Sequence, residues 1–180
     1  MSDALVFRVA SANDAPALAD FGHRTFRDAY RDVMEPGLLA RVLAEQFVPE
    51  RLRAELEDPA ARWIVAEADG KLAGYAYLRA GRVPEVGSAI APVELARFYV
   101  DREWHGRGVA RRLMDEVVSH ARGLGGRTLW LAVWQRNPRA IAFYRKYGFA
   151  RIGSCSWEHT PGALEDDLMA LDMAESGVPA

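Results

Sequence analysis

The sequence predicts an α/β fold in a single domain, on three observations. An apolar, strand-like run over Val93–Val100 passes through a glycine-bearing turn into a helix, where Ala110, Leu113, Met114, Val117, Val118 and Ala121 recur at helical spacing. A second strand-like run from Leu129 enters a helix that carries its own start and stop signals. Two further apolar runs, Trp63–Ala68 and Lys71–Leu78, flank Asp69-Gly70, a strong hairpin turn. At 180 residues and 50% hydrophobic content, the chain is long enough for one domain with a substantial core and short for two.

The remaining elements follow in order. Leu5–Val9 reads as a short first strand, and Asn13 or Asp14 can cap a helix with Leu18, Phe21, Thr25, Phe26 and Ala29 on its inward side. Leu38, Leu39, Val42, Leu43 and Phe47 mark a second helix, and a short third one with Leu52 and Leu56 follows Pro49. Residues 80–92, with Gly81, Pro84, Gly87 and Pro92, form a loop whose composition permits motion. Phe149–Trp157 and Asp167–Met173 read as a closing strand pair. The domain then spans 1–180, with its core over about 5–173 and a frayed tail at 175–180.

The turn after Val100 carries chemistry. The first amides of a helix lack partners inside it, so a turn that aims them at one point without bulky side chains attracts an anion. Gly106 and Gly108 keep that approach open, and Arg107, Arg111 and Arg112 can add whole charges to the helix dipole. A diphosphate suits such a cradle. It matches a dinucleotide fingerprint only weakly, because the third glycine would fall on Arg111 and no suitable early strand precedes it. The Gly-Lys-Ser or Gly-Lys-Thr of a triphosphate loop is also missing. The plainer alternative is that both glycines merely serve a strand-to-helix turn.

A second segment shifts the balance away from that alternative. In Leu129–Phe149, Asn137 is a favoured N-cap, Pro138 suits the first helical position, and Gly148 sits where a left-handed C-terminal residue belongs, so a helix spans about 138–147. The pattern Asn137-x-x-Ala140-x-x-Phe143-Tyr144-x-x-x-Gly148-Phe149, together with His105-Gly106-Arg107-Gly108-Val109-Ala110, resembles the GNAT superfamily of acyl-coenzyme A dependent N-acetyltransferases. His105 replaces the Gln or Arg usual at the first loop position. Shorter matches resemble the bacterial polyamine acetyltransferase branch: Thr25-Phe26 with Tyr30, Glu55-Leu56-x-x-Pro59, Ala66 through Tyr75, and Val133-Trp134 before Asn137.

The resemblance implies a mixed, mostly antiparallel sheet splayed between strands 4 and 5 and flanked by helices, with the first two helices beside the acceptor entrance. It implies acetyl-CoA as cosubstrate, its diphosphate over His105, Gly106, Arg107, Gly108, Val109 and Ala110, and its pantetheine arm against Asn137, Tyr144 and the main chain of Phe98 and Val100. The acceptor is expected to be a small-molecule primary amine, with polyamines the leading class. An amino acid, an aminoglycoside-like metabolite or a protein N-terminus stays open.

Acetyl transfer needs an uncharged nitrogen, whereas an alkylammonium holds its proton to about pH 10.4. A base is therefore required, and Glu94, eleven residues before His105, stands where the family often carries one. It is expected to act through water, with a raised pKa against an apolar wall. The alternative is an ordinary strand glutamate paired with Arg97 or facing solvent. By the same resemblance Tyr144 protonates the departing thiolate; otherwise it is a packing tyrosine. Cys155 reads as a packed cysteine, which favours direct transfer over an acyl-enzyme. Around the last loop, Glu158, His159, Asp166 and Asp167 stand near the acidic phrase of polyamine enzymes, but Thr160-Pro161-Gly162-Ala163 replaces much of it, and Trp157 offers a ring for a cation.

Composition narrows the classes further. A net charge of −2 argues against nucleic-acid binding. No apolar run approaches the roughly 20 residues of a membrane span and the first residues lack a signal-peptide profile, so no membrane partner and a cytoplasmic location are expected. One cysteine excludes an internal disulfide, and the four histidines have no metal-ligand spacing, so no metal is expected. The sequence leaves homodimer formation open. It also leaves a different class alive: a catalytically silent acyl-CoA sensor acting through a macromolecular partner.

Overall fold

The computed structural model describes residues 5–156 and 165–174. In chain order the elements are β1 (Val6–Val9), α1 (Ala15–Tyr30), α2 (Pro36–Gln46), α3 (Pro49–Glu57), β2 (Ala61–Ala68), β3 (Lys71–Ala80), β4 (Pro92–Val100), α4 (Val109–Gly123), β5 (Thr128–Trp134), α5 (Pro138–Tyr147), β6 (Ala150–Ser156) and β7 (Glu165–Asp172). Short 3-10 turns occupy Ala12–Asp14 and Arg102–Trp104. The strands hydrogen-bond in the order β1-β2-β3-β4-β5-β7-β6, with β4 and β5 parallel and the rest antiparallel. The mixed, mostly antiparallel sheet expected from sequence is therefore present. Its parallel ladder pairs Pro92–Glu94 with Thr128–Trp130, and each strand runs on past it.

The chain divides into two compact units, one drawn from residues up to Tyr77 with Arg97–Val117, the other from Leu78–Ala96 with residues from Val118 onward. In the first, β1 pairs antiparallel with β2, from Val6 opposite Glu67 to Val9 opposite Ile64. Leu18, Phe21 and Phe26 of α1, Leu39, Val42 and Leu43 of α2, and Leu52 of α3 are buried, as the periodicity required. Ala29 is the exception and lies exposed. The last turn of α1 is covered through Tyr30 instead, whose ring centroid is 4.4 Å from that of Phe26 one turn earlier. Asp14 holds the N-cap position of α1, but its carboxylate turns back to the Ser11 amide and to Arg8, at 2.7 Å in each case. The β2–β3 hairpin closes through Asp69 and Gly70 at φ 50° and 72°, the doubly positive turn its sequence demands.

In the second unit, β7 pairs with β5 from Asp172 opposite Thr128 to Asp166 opposite Trp134, and with β6 from Ala170 opposite Ala150 to Glu165 opposite Ser156. The expected closing pair is present, with an irregularity between Arg151 and Gly153. The 80–92 loop is fastened to its neighbours: Trp130 Nε1 donates to Arg82 O at 2.7 Å, Ile90 N to Thr128 Oγ1 at 3.2 Å, and Arg127 N to Ala91 O at 3.0 Å. Trp157, the Glu158–Ala163 segment and the tail from 175 lie outside the described residues. Among the described residues no helix is long and apolar enough to cross a membrane.

Candidate active site

The glycine turn belongs to the first unit and is built on Asp101, which is buried at the end of β4. Its amide donates to Ala73 O at 2.8 Å, and its carboxylate accepts from Glu103 N at 3.1 Å and meets Arg24 Nη1 at 2.7 Å. Burial opposes ionisation, yet the Glu103 amide and the Arg24 guanidinium hold this carboxyl below the usual range. The 3-10 turn Arg102–Trp104 follows, and α4 then starts with Val109 buried in a cluster with Ala66 and Ala73. The start of α4 is thus pinned from both sides.

Between those anchors, Gly106 and Gly108 both adopt φ 78°. A Cβ on either would find no atom within 4 Å, so the space above each is open and the backbone conformation is one L side chains rarely adopt. The His105 and Arg107 amides donate inside the turn, to Arg102 O at 3.2 Å and Trp104 O at 3.4 Å. Those two amides are therefore occupied within the turn itself. His105 takes a role its sequence did not reveal: Nε2 lies 3.0 Å from Val100 O, and since a carbonyl only accepts, Nε2 donates and ties the turn to the end of β4. The expected charges are placed on neighbouring groups. Arg107 lies over Trp104 with its guanidinium carbon 5.2 Å from the ring, Arg112 lies over Phe7 at 4.9 Å, and Arg111 reaches Asp115 at 3.4 Å.

In the second unit, α5 spans Pro138–Tyr147 as expected. Asn137 Oδ1 accepts from Ala140 N at 3.1 Å, and Gly148 ends the helix in the left-handed region. These caps fix Asn137 and Tyr144 on one short rod. The Tyr144 ring is buried edge-on between Phe143 and Phe149, with centroids 5.5 and 5.6 Å away. Cys155 is half-buried, and burial, then Asp166 and Glu85, push its thiol pKa up, which disfavours the reactive thiolate.

Glu94 does not face an apolar wall. Its Oε2 meets Arg79 Nη2 at 2.6 Å and Arg82 Nε at 3.9 Å, with the Glu94 side chain 13% exposed. Nor does it pair with Arg97: residues three apart on a strand project to opposite faces, and Arg97 meets Glu55 at 2.7 Å instead. Arg79 and Arg82 were missed in sequence. Gly81 N donates to Pro92 O at 2.9 Å, and Arg79 and Glu94 each stand two residues further into their strands, a register hidden by the long connection. The structure thus gathers Val100 and His105–Ala110 in one unit, and Asn137 with Tyr144, and Glu94 with Arg79, in the other. Among the described residues no group of three or more His, Cys, Asp or Glu is placed to hold a metal ion.

Comparison with known proteins follows the same lines. An uncharacterised N-acetyltransferase of Mycobacterium tuberculosis is 35% identical over 141 residues, 78% of this chain and 86% of its own length. The N-alpha-acetyltransferase RimI of that organism is 36% identical over 110 residues, 61% of this chain and 65% of its own. The crystal structure of the PaiA N-acetyltransferase of Thermoplasma acidophilum, in complex with coenzyme A, superposes with a TM-score of 0.75 at 21% identity, covering 94% of this chain and 99% of that one, which is a likeness of fold. The profile of the Acetyltransferase (GNAT) family matches residues 25–149, across the glycine turn and the capped helix. An open, doubly positive turn heading a pinned helix and an Asn-capped helix carrying Phe143-Tyr144 both lie inside the matched residues, and the chain belongs to the GNAT family of acetyltransferases.

Proposed function

We propose that this chain transfers the acetyl group of acetyl-CoA directly to a small primary amine. The observation that carries the reading is the turn at Gly106 and Gly108, whose open faces leave the first amides of α4 for a diphosphate. Val109 and Ala110 continue that cradle, with Arg107 at its rim. The main chain of Phe98 and Val100 and the donor end of Asn137 hold the pantetheine arm, the Asn137 acceptor being spent on its cap.

Glu94 receives the proton of the bound ammonium, through water. The freed nitrogen attacks the thioester carbonyl, the C–N bond forms, and the C–S bond breaks. The sulfur leaves as thiolate, the Tyr144 hydroxyl donates its proton to it, and the phenolate so formed takes up the second proton that the nitrogen sheds on becoming an amide. Holding the reactants in one geometry supplies much of the acceleration. Because Glu94 meets Arg79 in the free protein, the ammonium must share or displace that guanidinium. Asp166 and Asp167 on β7 are the acidic residues left for a polyamine, and Asp167 already meets Arg151 at 2.7 Å; two arginines beside Glu94 weigh further against that acceptor.

The test is coenzyme A release over a panel of amines that includes spermidine, amino acids and peptide N-termini. Wild type should release coenzyme A only with an acceptor. Glu94→Gln should lower turnover by about a hundredfold near neutral pH while coenzyme affinity is retained. Coenzyme binding with no acceptor-dependent release would replace this reading with that of a silent acyl-CoA binder.

A further inference from the structure

The two carboxylate oxygens of the buried Asp101 serve two different parts of the first unit. Oδ1 accepts from the Glu103 amide at 3.1 Å, inside the turn that leads to Gly106, and Oδ2 meets Arg24 Nη1 of α1 at 2.7 Å. Because the Asp101 amide donates to Ala73 O at 2.8 Å, the same residue is also fixed to β3. Helix, strand and glycine turn therefore meet at one carboxylate.

The helix end of this link is held as well. A Cβ at Gly22 would lie 3.0 Å from the Tyr75 hydroxyl, so α1 is pressed onto β3 two residues before Arg24. The Arg24 guanidinium lies over Phe21, its carbon 5.2 Å from the ring centroid. Both contacts favour the rotamer that reaches Asp101.

Charge gives the pair a second consequence. A carboxylate at the root of an anion cradle opposes the very ligand the cradle suits, and burial leaves it little water to screen it. Arg24 offsets that charge. Removing the guanidinium would leave Asp101 an uncompensated anion and would release the turn from α1, and neither effect requires Arg24 to touch the coenzyme.

From this arrangement we infer that Arg24 is a positioning residue for coenzyme A: acting through Asp101, it neutralises and steadies the turn at Gly106 and Gly108. The inference rests on the diphosphate cradle proposed above and adds a residue, distant in sequence, that sets its affinity.

Calorimetric titration with coenzyme A tests it, with thermal melts alongside. Arg24→Gln should fold and bind at unchanged stoichiometry, with affinity weakened about five- to tenfold. A merely structural role would lower Tm or the binding-competent fraction and leave the Kd of the folded molecules alone. Asp101→Asn keeps an oxygen for the Glu103 amide but turns an NH2 donor toward Arg24, so the link to α1 is already broken in it. Adding Arg24→Gln to that variant should change Kd by less than about twofold. Wild-type affinity in Arg24→Gln overturns the inference. So does an equal loss in both backgrounds, which would assign Arg24 a direct attraction for the phosphates. Should Asp101→Asn not fold, Arg24→Gln decides alone. Wild type that binds no coenzyme A overturns the cradle itself.

Discussion

Arg97 Nη1 meets Glu55 Oε2 at 2.7 Å with the two side chains only 11% and 16% exposed, joining β4 to α3 through a pair of opposite charges. The Arg97 guanidinium also lies over Phe47, Trp63 and Tyr77, at 5.5, 5.4 and 5.3 Å from their ring centroids. Such a pair resists the loss of one member more than the loss of both, since one alone leaves an uncompensated charge. Glu55→Ala should therefore destabilise by about 3 kcal/mol, a drop of roughly 6–12 °C in Tm for a chain of this size. Arg97→Met combined with Glu55→Leu should recover most of it. Thermal melts of the three variants decide, and a double variant as unstable as the single would show that packing, not charge, holds this region.

Gly108→Val tests the cradle. A β-branched residue at φ 78° costs about 1–3 kcal/mol of backbone strain, while its Cβ meets no protein atom. The fold should survive, and coenzyme A affinity measured by calorimetry should fall at least about tenfold, or 1.4 kcal/mol. Wild-type affinity in a folded variant would remove the turn from the diphosphate site.

Tyr144→Phe keeps the ring between Phe143 and Phe149 and deletes only the hydroxyl. Stability and coenzyme affinity should change little. Turnover should fall about a hundredfold if the hydroxyl protonates the thiolate, and steady-state rates with saturating acetyl-CoA measure this. Unaltered turnover would return Tyr144 to a packing role.

Two aspartates should pull stability in opposite directions with pH. Burial, then the Asp167 charge, push Asp166 up to about 6, above its ordinary 3.8. Between those values the unfolded chain has lost the proton and the folded chain keeps it, so stability falls as pH rises from about 4 to 6 and stays reduced above. Hydrogen bonds from Arg8 hold Asp14 down to about 2. Its contribution is present above pH 3.8 and fades as pH falls toward 2. Melts across pH 2–8 should show Asp166→Asn gaining on wild type above pH 6 and Asp14→Asn losing to it above pH 4. Parallel curves for variant and wild type would remove either aspartate from the pH dependence.

What the chain settles locally it settles within a few residues. Asn137, Pro138 and Gly148 bound α5 because caps act over three or four positions, and Gly106-x-Gly108 declares its turn because only glycine takes φ 78° at little cost. The apolar spacing of α1 and α2 marked their buried sides for the same reason, and failed only at Ala29, where Tyr30 covers the last turn. The strand alternation that separates Glu94 from Arg97 was also present in the sequence, since a spacing of three has odd parity.

The partners of those side chains were not. Arg79 reaches Glu94 across the 80–92 connection, whose length sets no register by itself, and Glu55 reaches Arg97 from a helix forty-two residues earlier. His105 looked like a departure from a loop motif until its ring was seen to hold Val100 O. Sequence by itself determined the family, the turn and the capped helix, because short-range backbone geometry encodes them. Tertiary structure decided which charges face the proposed base, because those contacts depend on how distant segments come to lie side by side.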